Sequence, residues 1–151
     1  MRISAKADYA VRAAVELAGA GEEPVKGERL ADAQGIPLQF LEHILLELKH
    51  ARLVRARRGA RGGYWLARPP EEITLANVIR AVEGPLANIQ DQAPEATKYS
   101  GSASELTDVW IAVRASLRRV LERVTIADLR DGEIPADVLA MTRDEGAWVT
   151  R

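Results

Sequence analysis

Cysteine is absent from all 151 residues. That absence removes disulfides, thiolate nucleophiles, zinc fingers and thiolate-held iron–sulfur clusters. Histidine occurs only twice and phenylalanine once. Both histidines, His43 and His50, fall in one short segment, and the carboxylates are scattered. No catalytic triad, metal-ligand cluster, dinucleotide fingerprint or Gly-Lys-Ser/Thr phosphate loop can be assembled from this chain. No run approaches the roughly 18 apolar residues of a membrane span. The start, MRISAKADYAVRAA, carries charges inside its apolar periodicity and has no cleavage-type region after it. These absences predict a cytoplasmic, non-enzymatic protein without a metal or cofactor. Its length suits one core plus an added oligomerisation element.

A local absence is more informative. From Lys49 to Arg68 there is no Asp or Glu, while seven Lys or Arg are present: Lys49, Arg52, Arg55, Arg57, Arg58, Arg61 and Arg68. Two β-like runs, around Leu53-Val54 and Tyr64-Trp65-Leu66, flank Gly59-Ala60-Arg61-Gly62-Gly63, whose glycines supply the positive φ a tight reversal needs. Mixed charges would solubilise such a turn equally well. Unopposed arginines are what phosphate contacts and counterion release require. The net charge of −1 hides an asymmetry, since residues 1–68 carry 12 basic and 8 acidic side chains and residues 69–151 carry 9 and 14.

Before this hairpin the pattern is helical. Ser4 is an N-cap for a first helix with Ala10, Ala13, Ala14, Leu17 and Ala18 inward, stopped by Gly19 and Gly21. Lys26 to Gln34 predicts a short second helix ended by Gly35. Pro37 opens a third, whose Leu38, Leu41, Leu45 and Leu48 form an apolar stripe running to about Ala51. Helix, helix, helix, strand, strand is the order of a winged helix-turn-helix. Thr74 then caps a fourth helix with Leu75, Val78, Ile79 and Val82 on one face, halted by Gly84-Pro85. Residues 84–104 read as a long loop. A further helix of about five turns follows, carrying Leu106, Val109, Trp110, Val113, Leu117, Val120, Leu121 and Val124. A short helix around Ile126 to Leu129 and a tail complete the chain. The fold class is mainly α with a small β-wing. The divisions are a DNA-binding domain over 1–84, a loop in a sensor position over 85–104, a dimerisation helix over 105–124, and a short C-terminal helix and tail over 125–151.

In such a fold the third helix reads base edges. Gln39, Glu42 and His43 lie off its apolar stripe; Gln can pair with adenine, Glu can accept from cytosine, and His can donate to a base or phosphate. The alternative is three ordinary solvated residues, and the adjacent basic hairpin favours the reading role. Arg58, Gly59 and Arg61 form the wing tip, suited to a minor groove, with Arg55 and Arg57 along phosphates and Arg52 and Lys49 extending the strip. Arg2 and Lys6 open the first helix, where the helix field favours phosphate; exposed terminal cations are the competing reading. Tyr9, Tyr64 and Trp65 lie in apolar periodicities and are read as core. The stripe from Leu106 to Val124 exceeds what a small winged helix can cover, so self-association is expected, placing two recognition helices on a pseudo-palindrome.

Together MRISAKADYAVRA, QGIPLQFLEHIL, LVRARRGARGGYWLARPPEEITLANVIRAVEGP and DVWIAVRASLRRVLERVTIADL resemble the Rrf-type winged-helix transcription regulators, the family of IscR, NsrR and CymR. The resemblance covers residues 1 to about 130. It implies a homodimer whose long helix crosses to its partner, with repression as the usual output. It places DNA contacts on Gln39, Phe40, Glu42 and His43 and on Arg58 and Arg61; for Phe40 an inward packing role is the alternative. The iron–sulfur members of this family hold their cluster with cysteines in the loop before the dimer helix. Glu105 and Asp108 stand here where that pattern has Cys and His near the helix start, so the chain resembles the cluster-free members. Asp91, Glu95, Lys98 and Tyr99 are the loop's polar handles for a small effector, a structural connection or a partner protein. The reading is a DNA-binding regulator, a homodimeric repressor of a pseudo-palindromic operator in double-stranded DNA. The rival reading is a winged-helix interaction module that docks a metabolic enzyme.

Overall fold

The computed structural model describes residues 2–150. Helix α1 spans Ala5–Ala20, with the Ser4 hydroxyl accepting from the Ala7 N–H at 3.0 Å. Its buried face is mostly alanine (Ala7, Ala10, Ala13, Ala14, Ala18, with Leu17). Small side chains let neighbours approach closely, and α1 becomes the central post against which the next two helices, the second strand of the wing and the later helices Leu75–Glu83 and Ile126–Asp131 pack. Helix α2, Gly27–Gln34, stops where Gly35 turns left-handed at φ 61°. Helix α3, Leu38–His50, starts after Pro37 and buries Leu41, Ile44, Leu45 and Leu48. Each such leucine removed from water contributes about 1.5–3 kcal/mol.

The wing follows at once. Strands β1, Val54–Arg57, and β2, Gly63–Leu66, are antiparallel, pairing Val54 with Leu66, Arg55 with Trp65, Ala56 with Tyr64 and Arg57 with Gly63. A lone two-stranded hairpin is marginal in water. Here it is held by a bridge between Tyr64 and Val25, each N–H donating to the other's carbonyl at 2.8 Å. That bridge explains Gly63, where a Cβ would meet the Val25 backbone at 2.7 Å.

Helix α4, Leu75–Glu83, is capped by reciprocal bonds between Thr74 and Asn77. Residues 85–105 contain more order than a plain loop. Ile89 and Gln92 exchange backbone hydrogen bonds around a tight turn, and 3₁₀ turns form at Pro94–Ala96 and Gly101–Ala103. Helix α5 is Leu106–Leu121, shorter than the five turns its stripe suggested, because Val124 leaves the helix and turns inward. The chain there rejoins the core: the Leu75 N–H donates to the Val124 carbonyl at 3.0 Å and the Ile126 N–H to the Ile73 carbonyl at 2.8 Å. Helix α6, Ile126–Asp131, carries its own capping box and packs on α1. The tail adds a helix α7, Ala136–Met141, and a 3₁₀ turn at Glu145–Trp148. Among the described residues no helix is long and apolar enough to cross a membrane.

Candidate nucleic-acid interface

Along α3 the buried stripe dictates what is left outside. Gln39, Phe40, Glu42, His43, Leu46, Lys49 and His50 are all exposed. Leu46, which the sequence reading passed over, has 47% of its surface open although it is apolar. Glu42, Leu46 and Lys49 line the floor of a groove of about 400 Å³ whose opposite wall is the wing backbone from Ala56 to Gly59. Recognition helix and wing are therefore two sides of one channel. Glu42 is the acidic member of its α3 wall, opposite Arg57 and Arg58.

Strand alternation divides the wing. Val54 is buried, and Arg55 and Arg57 are exposed on the opposite face. Trp65 pairs with Arg55 across the ladder, so it lies on that outward face rather than in the core, unlike Tyr64, which packs inward. The sequence reading missed this because strand phase was assigned from hydrophobicity, and a tryptophan beside arginines breaks that rule. At the tip the Arg57 guanidinium donates to the Arg61 carbonyl at 2.9 Å, and Lys26 at the start of α2 donates to the Gly59 carbonyl at 2.5 Å. Gly62 is sterically required, since a Cβ there would stand 2.0 Å from the Arg57 carbonyl oxygen. The turn is thus fixed by backbone contacts, leaving the guanidiniums of Arg55, Arg58 and Arg61 on the exposed surface.

The Lys6 ammonium sits 2.8 Å from the Glu47 carboxylate, an ion pair that ties α1 to α3. Arg2 is exposed beside the α1 N-terminus. Phe40 packs edge-on against Tyr9 with ring centroids 5.7 Å apart, and Arg12 lies over the other side of Tyr9. The Phe40 ring thus rests on Tyr9 while 40% of its surface stays exposed. Arg52, just past α3, adopts a left-handed φ of 60° while Leu53 N–H closes back on the Leu48 carbonyl at 2.9 Å. That places its exposed side chain where the helix hands over to the wing.

Helix α5 has no buried residue, and Val109 is 51% exposed. Leu106, Trp110, Val113, Leu117, Val120 and Leu121 are half-buried, whereas Val124 is 3% exposed within the chain's own core and drops out of the outward stripe. The preceding loop is tied to α5. Trp110 Nε1–H donates to the Tyr99 hydroxyl at 3.1 Å, the Thr107 hydroxyl donates to the Thr97 carbonyl at 3.2 Å, and Glu95 pairs with Arg114 at 2.7 Å. Tyr99 and Glu95 are brought against α5, while Asp91 and Lys98 stay exposed and apart from them. A backbone hydrogen bond at Glu95, and then the Arg114 guanidinium, hold that carboxyl below the ordinary carboxylate range.

A winged helix-turn-helix with a basic wing beside an exposed recognition-helix face defines a DNA-binding regulator. The family model described as Rrf2, iron-dependent transcriptional regulator, matches residues 3–132, and the chain belongs to that family. It is similar to an HTH-type transcriptional regulator of Mycobacterium tuberculosis, 52% identical over 145 residues covering 95% of this chain and 90% of that protein. CymR of Bacillus subtilis is 33% identical over 140 residues, covering 88% and 94%. Among solved structures, CymR, the global cysteine regulator of B. subtilis, superposes with a TM-score of 0.73 at 31% identity over 87% of this chain and 97% of its own. IscR of T. potens superposes at 0.69 with 32% identity, covering 100% and 93%. The family and these relatives are transcriptional regulators, not enzymes.

The iron dependence in the family's description does not fit the donor set of this chain. It supplies no thiolate, and among the described residues no three His, Cys, Asp or Glu side chains gather to hold a metal. Within the loop, the carboxylate of Glu95 is already committed to Arg114.

Proposed function

We propose that the chain is a cytoplasmic homodimeric repressor that binds a pseudo-palindromic operator, reading sequence with α3 and gripping phosphates with the wing. The observation that carries this reading is the channel between Glu42, Leu46 and Lys49 on one side and the arginine-bearing wing on the other. In and around it, Gln39, Glu42 and His43 select bases, and Arg55, Arg57, Arg58, Arg61, Lys49 and Arg52 position the duplex; Gly59 shapes the tip. Arg2 adds a phosphate contact at the α1 N-terminus, while Lys6 acts indirectly by fixing α1 to α3. The half-covered stripe of α5, from Leu106 to Leu121, supports a second copy as its cover, because a helix of 16 residues with none fully buried gains little from packing within the chain.

In this reading residues 1–84 carry the DNA contacts, 85–104 the signal input and 105–124 the dimerisation helix, and the short C-terminal helix α6 returns Ile126 and Ala127 to the core. Selection of bound fragments from genomic DNA, followed by footprinting, tests the reading. Protected half-sites related by a two-fold axis are expected. Uniform, sequence-independent protection would refute it.

A further inference from the structure

Between the end of α4, residues 86–95 and the flank of α5 lies a cleft of about 610 Å³. Its lining includes Arg80, Arg114 and Arg118, with Glu95 as the single carboxylate, and Leu86 and Asn88 on the loop side. With Glu122 at its rim, the three guanidiniums face two carboxylates, so the cleft keeps a net positive charge in a half of the chain that is otherwise acidic. Arg114 is the most covered of them, with 16% of its side chain exposed, while its partner Glu95 remains 59% exposed. The covered half of this ion pair therefore belongs to α5, and the exposed half to the loop. Glu122 is shared, pairing with Arg80 and standing 3.7 Å from Arg118. Arg80 holds the Glu122 carboxyl below its ordinary range, as the local backbone hydrogen bond and Arg114 do for Glu95. Two neighbouring carboxylates thus report the same cationic field.

Guanidiniums at fixed spacing recognise carboxylates through paired hydrogen bonds. A cleft of this size matches small ligands rather than a macromolecule. Leu86 offers apolar contact for a short carbon chain, and Asn88 offers an amide. We propose that this cleft binds a small organic carboxylate, which takes Arg114 and Arg118 and displaces Glu95 from Arg114. Glu95 is then a built-in competitor for the ligand. When it is displaced, the turn Pro94–Ala96 loses one of the three side-chain ties that hold residues 95–99 to α5. The remaining two, Thr107 to Thr97 and Trp110 to Tyr99, keep the loop attached. Arg114 and Arg118 flank the apolar stripe of α5 at adjacent helical positions, so the same event alters the helix that carries the dimer contacts. This site is the signal input of the regulator read above and rests on that reading only for its output, since binding itself needs no DNA.

The probe is succinate, added to the full chain without DNA at constant ionic strength, with neutral succinamide as control. Nitrogen–proton spectra follow the Arg guanidinium signals and the amides of residues 86–97. Saturable shifts confined to Arg80, Arg114, Arg118 and that segment are expected with succinate and none with succinamide. Glu95→Gln should tighten binding about threefold, the scale of a half-exposed ion pair. Arg114→Gln should weaken it at least about tenfold, the loss of a charge-assisted pair. Arg118→Gln, at a more exposed position, covers the case in which the Arg114 variant does not fold. A gain of affinity in Glu95→Gln cannot arise from unfolding. Non-saturating shifts, equal response to succinamide, or unchanged affinity in both Glu95→Gln and Arg118→Gln would overturn the proposal. Operator binding by the ligand-free chain is measured separately, so loss of that binding sinks the regulator reading while leaving the site assignment to stand or fall alone.

Discussion

Helices α3 and α5 are both amphipathic and of similar length, yet they end differently. Helix α3 buries Leu41, Ile44, Leu45 and Leu48 completely, and α5 buries no residue fully. The same kind of stripe is satisfied inside one chain in the first case and left open in the second. What separates them is the alanine face of α1, which brings α3 and α4 close enough to seal the core, while the loop after Gly84 carries α5 to the edge. The N-terminal elements seal a core within the chain, whereas α5 keeps its stripe only partly covered.

This contrast can be broken by mutation. The largest effect is expected for Leu45→Ala, which removes a fully buried side chain and should cost about 2–5 kcal/mol in chemical denaturation, independent of protein concentration. Val113→Asp should leave the single-chain core folded but place a charge in the α5 stripe. Sedimentation should then show a monomer, and the loss of stability on dilution expected of the parent dimer should vanish. An unchanged mass would mean that α5 is covered in some other way. Arg58→Ala combined with Arg61→Ala should weaken binding to every duplex and lower the slope of log affinity against log salt by about 2, close to one unit per lost phosphate contact. An unchanged slope would remove the wing tip from the interface.

Smaller effects sharpen the assignment of roles. Glu42→Ala should relax sequence preference by about 1–3 kcal/mol at one base position while raising affinity for random DNA. If the preference profile stays fixed, Glu42 serves the wing-facing channel only. The Glu95–Arg114 tie supplies a pH signature. Because the folded-state pKa of Glu95 is lowered, its contribution is present at neutral pH and disappears as pH falls through that lowered range. Acidification should therefore shift the amides around Pro94–Ala96 before global unfolding, and Glu95→Gln should abolish that step; the change is small because Glu95 is more than half exposed.

Much of this architecture is legible in the sequence because it is written in strong local signals. Ser4, Thr74, Gly35 and Gly84 mark helix ends by their capping chemistry, and the arginine-rich hairpin announces itself by the missing carboxylates. Less visible was whatever depends on the third dimension. Val124 continues the helical spacing of α5 yet is drawn into the core by the Thr74–Thr125 bridge. Trp65 has the hydrophobicity of a core residue and the strand phase of a surface one. Lys6 pairs with Glu47, which lies on α3 and beyond any sequence window. The cationic cleft was hidden for the same reason, since Arg80 and Arg114 are far apart in the chain and meet only after α5 folds back.

The most direct measurement is the mass and footprint of the complex on a selected operator fragment. Sedimentation equilibrium with footprinting should give two chains per site and two symmetric protections spaced by roughly one helical turn or a multiple of it. One chain per site with a single protected half-site would contradict a dimeric regulator built on α5.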